Sequence, residues 1–157
     1  MTVITAAGSI LSIGSDVVAA PDATLDTYVL VSEVVNIPAF GREYELITHN
    51  PIDNRKTFKF KGSFNDGSFE LQLGRDLEDT GQDNALTALD SDLTYNFRLT
   101  LNDDPANGSG SAPTTFYLPC KVMSFPTVLD NVNSIVAATI RLEVDGAITK
   151  VDKVQGV

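Results

Sequence analysis

The sequence predicts a mainly β domain: an antiparallel sandwich or barrel-like body flanked by one short α-helix. Three observations predict it. Apolar residues recur with period two along most of the chain, the pattern of strands with one buried and one wet face. Clusters of Asn, Asp, Gly and Pro separate these runs. One segment alone shifts to helical spacing.

In chain order, residues 28–37 are rich in Val and Ile and read as a strand. A Pro/Gly bend follows, then the strand-like run Glu43, Tyr44, Glu45, Leu46, Ile47. His49, Asn50, Pro51, Ile52, Asp53, Asn54, Arg55 and Lys56 lack periodicity. Long irregular connections inside compact domains are usually functional or disordered. Phe58 and Phe60 then alternate with Lys59 and Lys61, and Phe69, Leu71 and Leu73 with Glu70 and Gln72. Asn65-Asp66-Gly67 between them reads as a hairpin turn. Thr80-Gly81-Gln82-Asp83 resembles a capping box with Asp in place of Glu. Ala85, Leu86, Ala88 and Leu89 continue at helical spacing, so a helix is expected near 80–90, packed by Leu86 and Leu89 onto a sheet.

Alternation resumes at Leu93, Tyr95, Phe97, Leu99 and Leu101. Residues 102–111 are a loop of turn formers whose acids do not follow calcium-loop spacing. Residues 115–125 are apolar on both faces and are expected to be covered on both sides. Val136, Ala138, Ile140, Leu142 and Val144 form the inner face of a last strand. The aromatics Phe58, Phe60, Phe69, Tyr95, Phe97 and Phe116 are assigned to the core.

Composition narrows the function. The chain has 157 residues, 43% hydrophobic and 20% charged, which is globular composition for one domain. Eleven Lys+Arg against 21 Asp+Glu give a net charge of −10, unsuited to tight nucleic-acid binding, which needs clustered cations. One cysteine, Cys120, excludes an internal disulfide and a Cys-based zinc site; it reads as an inert buried residue. One histidine, His49, is a poor basis for a metal centre or a Ser-His-Asp site; only Asp53 lies close in sequence, and a hydrogen-bonded loop histidine is the reading. No catalytic, cofactor-binding or metal residues are assigned and no cofactor is expected. No basic residue precedes Arg42, so no signal peptide is read, and no apolar run nears the roughly 20 residues that span a bilayer.

The order of these pieces resembles the major tail tube protein of long-tailed, non-contractile (siphovirus-type) bacteriophages. The resemblance covers roughly residues 28–150. It rests on Val34-Val35-Asn36-Ile37-Pro38-Ala39-Phe40-Gly41-Arg42, then Ile47-Thr48-His49-Asn50-Pro51 and the polar loop ending in Arg55-Lys56. Phe60-Lys61-Gly62-Ser63-Phe64-Asn65-Asp66-Gly67-Ser68-Phe69-Glu70-Leu71 follows, then residues 79–86 as an acidic turn and helix start, and residues 136–146 as a final strand. The resemblance implies rings of six subunits that stack into a hollow tube, through which double-stranded DNA passes without specific binding. It also implies a tape-measure protein in the lumen during assembly, tail tip and terminator proteins as partners, and a place in the virion after assembly in the host cytoplasm. It divides the chain into an N-terminal segment 1–26, expected as an arm in inter-subunit contacts, a tube domain 27–151 and a C-terminal tail 152–157.

Two sets of residues follow as candidates. The loop from His49 to Lys56 is expected to order when rings stack. Glu33, Glu43, Glu45 and Glu70 lie on polar strand faces and are candidates for the channel wall, where acids would repel DNA; a solvated outer face is the competing reading of each. Asp76, Glu78, Asp79, Asp83, Asp90 and Asp92 surround the helix, read as a solvated terminus or as a dock for Arg55-Lys56 of a neighbouring ring. Lys59 and Lys61 read as cross-strand ion pairs. The alternatives are an inner-tube protein of a contractile tail or type VI-like machine, and a ligand-binding β-sandwich module.

Overall fold

A computed structural model describes residues 3–18, 22–104 and 109–156. The elements are β1 (Ile10–Asp16), a 3-10 turn (Ala23–Leu25), β2 (Val29–Leu30), β3 (Val34–Asn36), β4 (Glu43–His49), β5 (Phe58–Asn65), β6 (Ser68–Gly74) and α1 (Thr80–Leu89). They continue as β7 (Tyr95–Thr100), β8 (Thr115–Ser124), β9 (Thr127–Val128), β10 (Ala137–Val144) and β11 (Thr149–Val151). Nine of the strands form one antiparallel sheet in the order β2-β1-β7-β8-β10-β6-β3, with β11 beside β8 and β9 beside β10. β4 and β5 form a separate two-stranded sheet.

The sheet must curl. Its edge strands β2 and β3 are consecutive in the chain and joined only by Val31, Ser32 and Glu33. That link reaches at most about 14 Å, whereas the edges of a flat seven-strand sheet would stand about 29 Å apart. The result is a half-barrel whose mouth is spanned by residues 31–33. The single strand expected over 28–37 is therefore broken. Glu33, at φ 62, sits in the left-handed region that bulky residues avoid, and it turns the chain from one edge to the other. Its carbonyl accepts from Gly74 N at 2.8 Å.

Period two places the core inside the curl. Leu71, Leu73, Phe97, Leu118, Cys120, Ile140 and Leu142 are fully buried. β8 is fully buried on that face; on the other, Tyr117, Pro119 and Lys121 are half-buried and Met123 is exposed, so its outer side is covered only in part. Residues 22–28 cross the outer face instead. Asp26 accepts from Ser15 N (2.8 Å), Ser15 Oγ (2.7 Å) and Asn96 Nδ2 (3.0 Å), and Tyr28 stacks near Arg98 and Tyr117. β1, within the segment set apart as 1–26, lies inside the sheet between β2 and β7. Val154, in the tail 152–157, bridges to Ala112.

Helix α1 plugs the curl. Its cap is Asp79, one residue before the expected box: Asp79 Oδ2 accepts from Gln82 N at 2.8 Å and from Ser32 N at 3.2 Å. Gly81, Gln82, Ala85 and Ala88 face inward, and Leu86 and Leu89 flank the core rather than lead the packing. A Cβ at Gly81 would fall 1.9 Å from the Leu30 carbonyl oxygen, so only glycine lets the helix press this closely on β2. Gln82 is the one fully buried polar side chain there. Its Nε2 donates to the carbonyls of Ser32 (3.2 Å) and Gly74 (2.9 Å), and its Oε1 accepts from Arg75 Nη1 (2.9 Å) and Asp76 N (3.1 Å). One amide thus ties helix, barrel mouth and the end of β6 together. Among the described residues no helix is long and apolar enough to cross a membrane.

Candidate assembly surface

The hairpin expected at Asn65-Asp66-Gly67 does not exist. β5 pairs with β4, in register Ile47↔Phe60 and His49↔Phe58, while β6 pairs with β10 and β3. The two-stranded sheet is an arm that stands off the half-barrel. Every residue of β4 and β5 except Gly62 is exposed. Phe58 and Phe60, assigned to the core from their alternation, are in the arm and face solvent. Alternation reports two-sided placement of side chains; it does not report which side another layer covers.

The base of the arm is anchored. Phe40 packs on the core rings of Phe69 (6.1 Å) and Phe116 (5.3 Å). Arg42 Nε then pairs with Asp66 Oδ1 at 2.8 Å, and the Arg42 guanidinium lies 3.9 Å from the Phe64 ring centre. The hydrogen bond to Asp66 raises the Arg42 pKa further. Gly41 (φ 149) and Gly67 (φ 95) bracket the arm where it leaves and rejoins the body, both in conformations an L side chain resists. Beyond this base, Leu46 is 62% exposed, Phe60 56% and Phe64 52%, and Tyr44, Ile47 and Phe58 are also exposed. Six large apolar side chains, each about half open, expose on the order of 500 Å² at 150–250 Å² per aromatic ring. The pairing register divides them between the two faces of the arm, Ile47, Phe58 and Phe60 on one and Tyr44, Leu46 and Phe64 on the other, so each face carries roughly half of that area, on the order of 250 Å².

The candidate residues fall on several elements. His49 ends β4, and Asn50, Pro51, Ile52, Asp53, Asn54, Arg55 and Lys56 form the tip of the arm. The tip is not wholly irregular: Asn54 N donates to Pro51 O (3.4 Å) and Lys56 N to Asn54 Oδ1 (3.0 Å). Glu43 and Glu45 lie on one face of β4, alternating with Tyr44 and Leu46, and Ser63 Oγ donates to Glu45 Oε2 at 3.3 Å. Glu70 stands on the outer face of β6 opposite Arg141, and Glu33 at the barrel mouth. Within one chain these acids do not share one surface. Lys61 lies 4.6 Å from the Tyr44 ring centre and Lys56 5.7 Å from that of Phe58; among the described residues no ion pair joins Lys59 or Lys61 to a carboxylate. Of the acids around α1, Asp79 is the cap, Asp83 sits in the first turn and Asp90 ends the helix. Among the described residues no cluster of three metal-ligating side chains occurs.

A second feature was not anticipated from the sequence. A groove of about 750 Å³ opens at the barrel mouth between β2 and β3, lined by Ile4, Ile10, Leu30, Val31, Val35 and Leu101 among others. Both bordering strands end the strand order of the main sheet among the described residues. The sequence signal was the run 28–37; reading it as one strand hid that it forms two opposed rims.

No protein-family model and no curated protein matches the sequence. The fold does match solved structures. It superposes on a chain of the anti-feeding prophage (AFP) baseplate with a TM-score of 0.71 at 14% identity, covering 97% of both chains. It superposes on the SPP1 tail tube at 0.68 and 17% identity, covering 98% of this chain and 81% of that one. A chain of the sheath/tube terminator structure of the PVC contractile injection system gives 0.67 at 15%, covering 96% and 97%. The curled antiparallel sheet with one helix is thus the tail tube fold, as the resemblance in the sequence implies.

Proposed function

We propose that this chain is a tail tube subunit: a structural, self-assembling protein, not an enzyme, whose copies close into six-membered rings that stack into a hollow tube. The observation that supports this best is the arm. A two-stranded sheet with apolar side chains on both faces and two open edges is unsatisfied in a monomer. A second set of open edges, β2 and β3, lies elsewhere on the same chain. Contacts between unlike surfaces of identical subunits are head-to-tail, and such contacts close into rings or extend into filaments.

In this reading the arm's tip, residues 49–56, reaches between rings, and Glu33, Glu43, Glu45 and Glu70 contribute to an acidic wall. A chain of net charge −10 offers passing DNA few cations to hold it. A tape-measure protein would occupy the bore during assembly, and tip and terminator proteins would end it; the assembled tube would reside in the virion after assembly in the host cytoplasm. Purified protein should form rings or tubes with a central channel in negative-stain images as concentration rises. A strict monomer at the highest concentrations reached would refute the proposal.

A second reading has specific support. The likeness to AFP and PVC chains covers both partners almost completely, whereas the SPP1 chain extends beyond the match. The tube could therefore be the inner tube of a contractile machine. Co-sedimentation of the tube with a sheath protein encoded beside it would decide for that reading, and a bare tube in the native particle for the non-contractile one.

A further inference from the structure

We infer that residues 22–28 are a latched strap that couples the outer face of the main sheet to the barrel mouth. This goes beyond the tube reading and does not depend on it. The strap crosses the outer face and runs directly into β2, one rim of the groove. Among the described residues 22–30 none is buried, so this stretch is held by polar and ring contacts rather than by a side chain in the core. The Asp26 carboxylate is the latch. Its seat is built by the body of the protein: it accepts from Ser15 N (2.8 Å), Ser15 Oγ (2.7 Å) and Asn96 Nδ2 (3.0 Å). The sheet is notched for it. A Cβ at Gly14 would fall 2.3 Å from Asp26 Oδ2 and 3.0 Å from Tyr28 Cε1. Tyr28 adds a second hold, with its ring centre 4.5 Å from the Arg98 guanidinium and 5.9 Å from the Tyr117 ring centre. Its hydroxyl donates to the Ala23 carbonyl at 2.6 Å, which closes the strap on itself.

Past the strap, β2 meets β1 over two residue pairs, Ser12↔Leu30 and Ile13↔Val29. The chain is fixed again just beyond. Val31 is buried, the Ser32 N–H donates to Asp79, and the Ser32 carbonyl accepts from Gln82. The Leu30 carbonyl, against Gly81 of α1, belongs to that anchored side. Latch and anchor thus bracket β2, and so short a pairing is marginal without both. Releasing Asp26 slackens the rim, and displacing the rim draws the carboxylate from its seat; such a coupling is reciprocal. Segments with few buried contacts open at lower free energy than the core, so the strap can open while the sheet stays folded.

Two variants of the full chain unlatch the strap by different routes. Asp26→Asn keeps the shape and removes the charge that the seat's donors face. Gly14→Ala fills the notch and leaves Asp26 intact; Gly14 lies outside the left-handed region, so its backbone accepts alanine. Leu25→Ser, at a strap residue 82% exposed, is the control. Hydrogen–deuterium exchange read by mass spectrometry follows Ser15 at the latch, residues 27–31 at the rim, and β6 and β10 in the core. In wild type the rim should exchange well before β10. In both unlatched variants it should exchange faster again, by about tenfold or more, with β6 and β10 still the slowest segments and Leu25→Ser matching wild type. Exchange that rises at Ser15 and stays at the wild-type rate over 27–31 overturns the coupling. A wild-type rim as slow as β10 overturns it too, as do unlatched variants that lose rim and β10 protection together or fail to fold, because the strap would then belong to the core unit. Leu25→Ser that opens the rim as far as Asp26→Asn removes Asp26 as the latch. Tube formation enters none of these readings, so the failure of one proposal leaves the other standing.

Discussion

Replacing Gln82 with Leu keeps the volume at the barrel mouth and deletes a buried amide that makes four hydrogen bonds. The carbonyls of Ser32 and Gly74 and the amide of Asp76 would lose their Gln82 partner, while Arg75 Nη1 keeps the Asp76 carbonyl at 2.8 Å. At about 1 kcal/mol per neutral bond, and about 1.5–3 kcal/mol for the bond from the charged guanidinium, the loss sums to roughly 4–6 kcal/mol. Leucine's better transfer into an apolar site returns part of it, about 1–2 kcal/mol. The expected net cost is about 2–5 kcal/mol, a large share of the 5–15 kcal/mol typical of a domain. For a chain of this size that corresponds to a fall in Tm of about 4–20 °C. Gln72→Leu, on the exposed face of β6, is the matched control and should stay within about 0.5 kcal/mol of wild type. Urea unfolding of the two variants, followed by far-UV circular dichroism, measures both. A Gln82→Leu variant within 1 kcal/mol of wild type would refute the idea that this amide holds helix and barrel mouth together.

Deleting residues 50–55 should leave a folded monomer, since none belongs to the core, but should stop growth beyond single rings in electron micrographs. Changing Glu43 and Glu45 together to Lys should allow tubes to form yet slow DNA exit in an ejection assay; unchanged kinetics would place both outside the channel. Burial of Asp26 pushes its carboxyl upward, but hydrogen bonds from Asn96, Ser15 and Thr27 outweigh that and hold it below its ordinary value of 3.8. A depressed carboxyl stabilises the fold fully above the unfolded pKa and loses that contribution as pH falls through the folded one. Asp26→Asn should therefore be less stable than wild type at neutral pH and show a flatter decline below about pH 4 in acid titrations. Burial pushes the Cys120 thiol well up from its ordinary range, so a thiol reagent should label it only at the rate of unfolding, measured by mass spectrometry with and without urea.

The arm and the groove also bear on premature assembly. Open edges and exposed aromatics are an aggregation hazard in a free subunit. The cations near the rings, Arg42 on Phe64 and Lys61 on Tyr44, cover part of that surface in the monomer without burying it. Each such contact is worth about 0.5–1 kcal/mol at an exposed site, small enough for a larger interface to replace.

By itself the sequence determined the elements. Period-two runs located β5, β6, β7 and β10 and predicted which side of the last three is apolar, because a strand's side chains alternate whatever packs against them. Helical spacing and a nearby acid located α1 within a residue of its cap. The tail tube fold was legible in the order of these local signals. Pairing was not. β5 carries the same alternation as β6, yet one is arm and the other core, because alternation is local and coverage depends on which distant strand arrives. Only the tertiary structure decided that 29–36 splits at Glu33 into the two rims of a groove, that β1 lies inside the sheet, and that Gln82 ties the barrel mouth. Each depends on contacts between residues tens of positions apart, which local patterns do not encode.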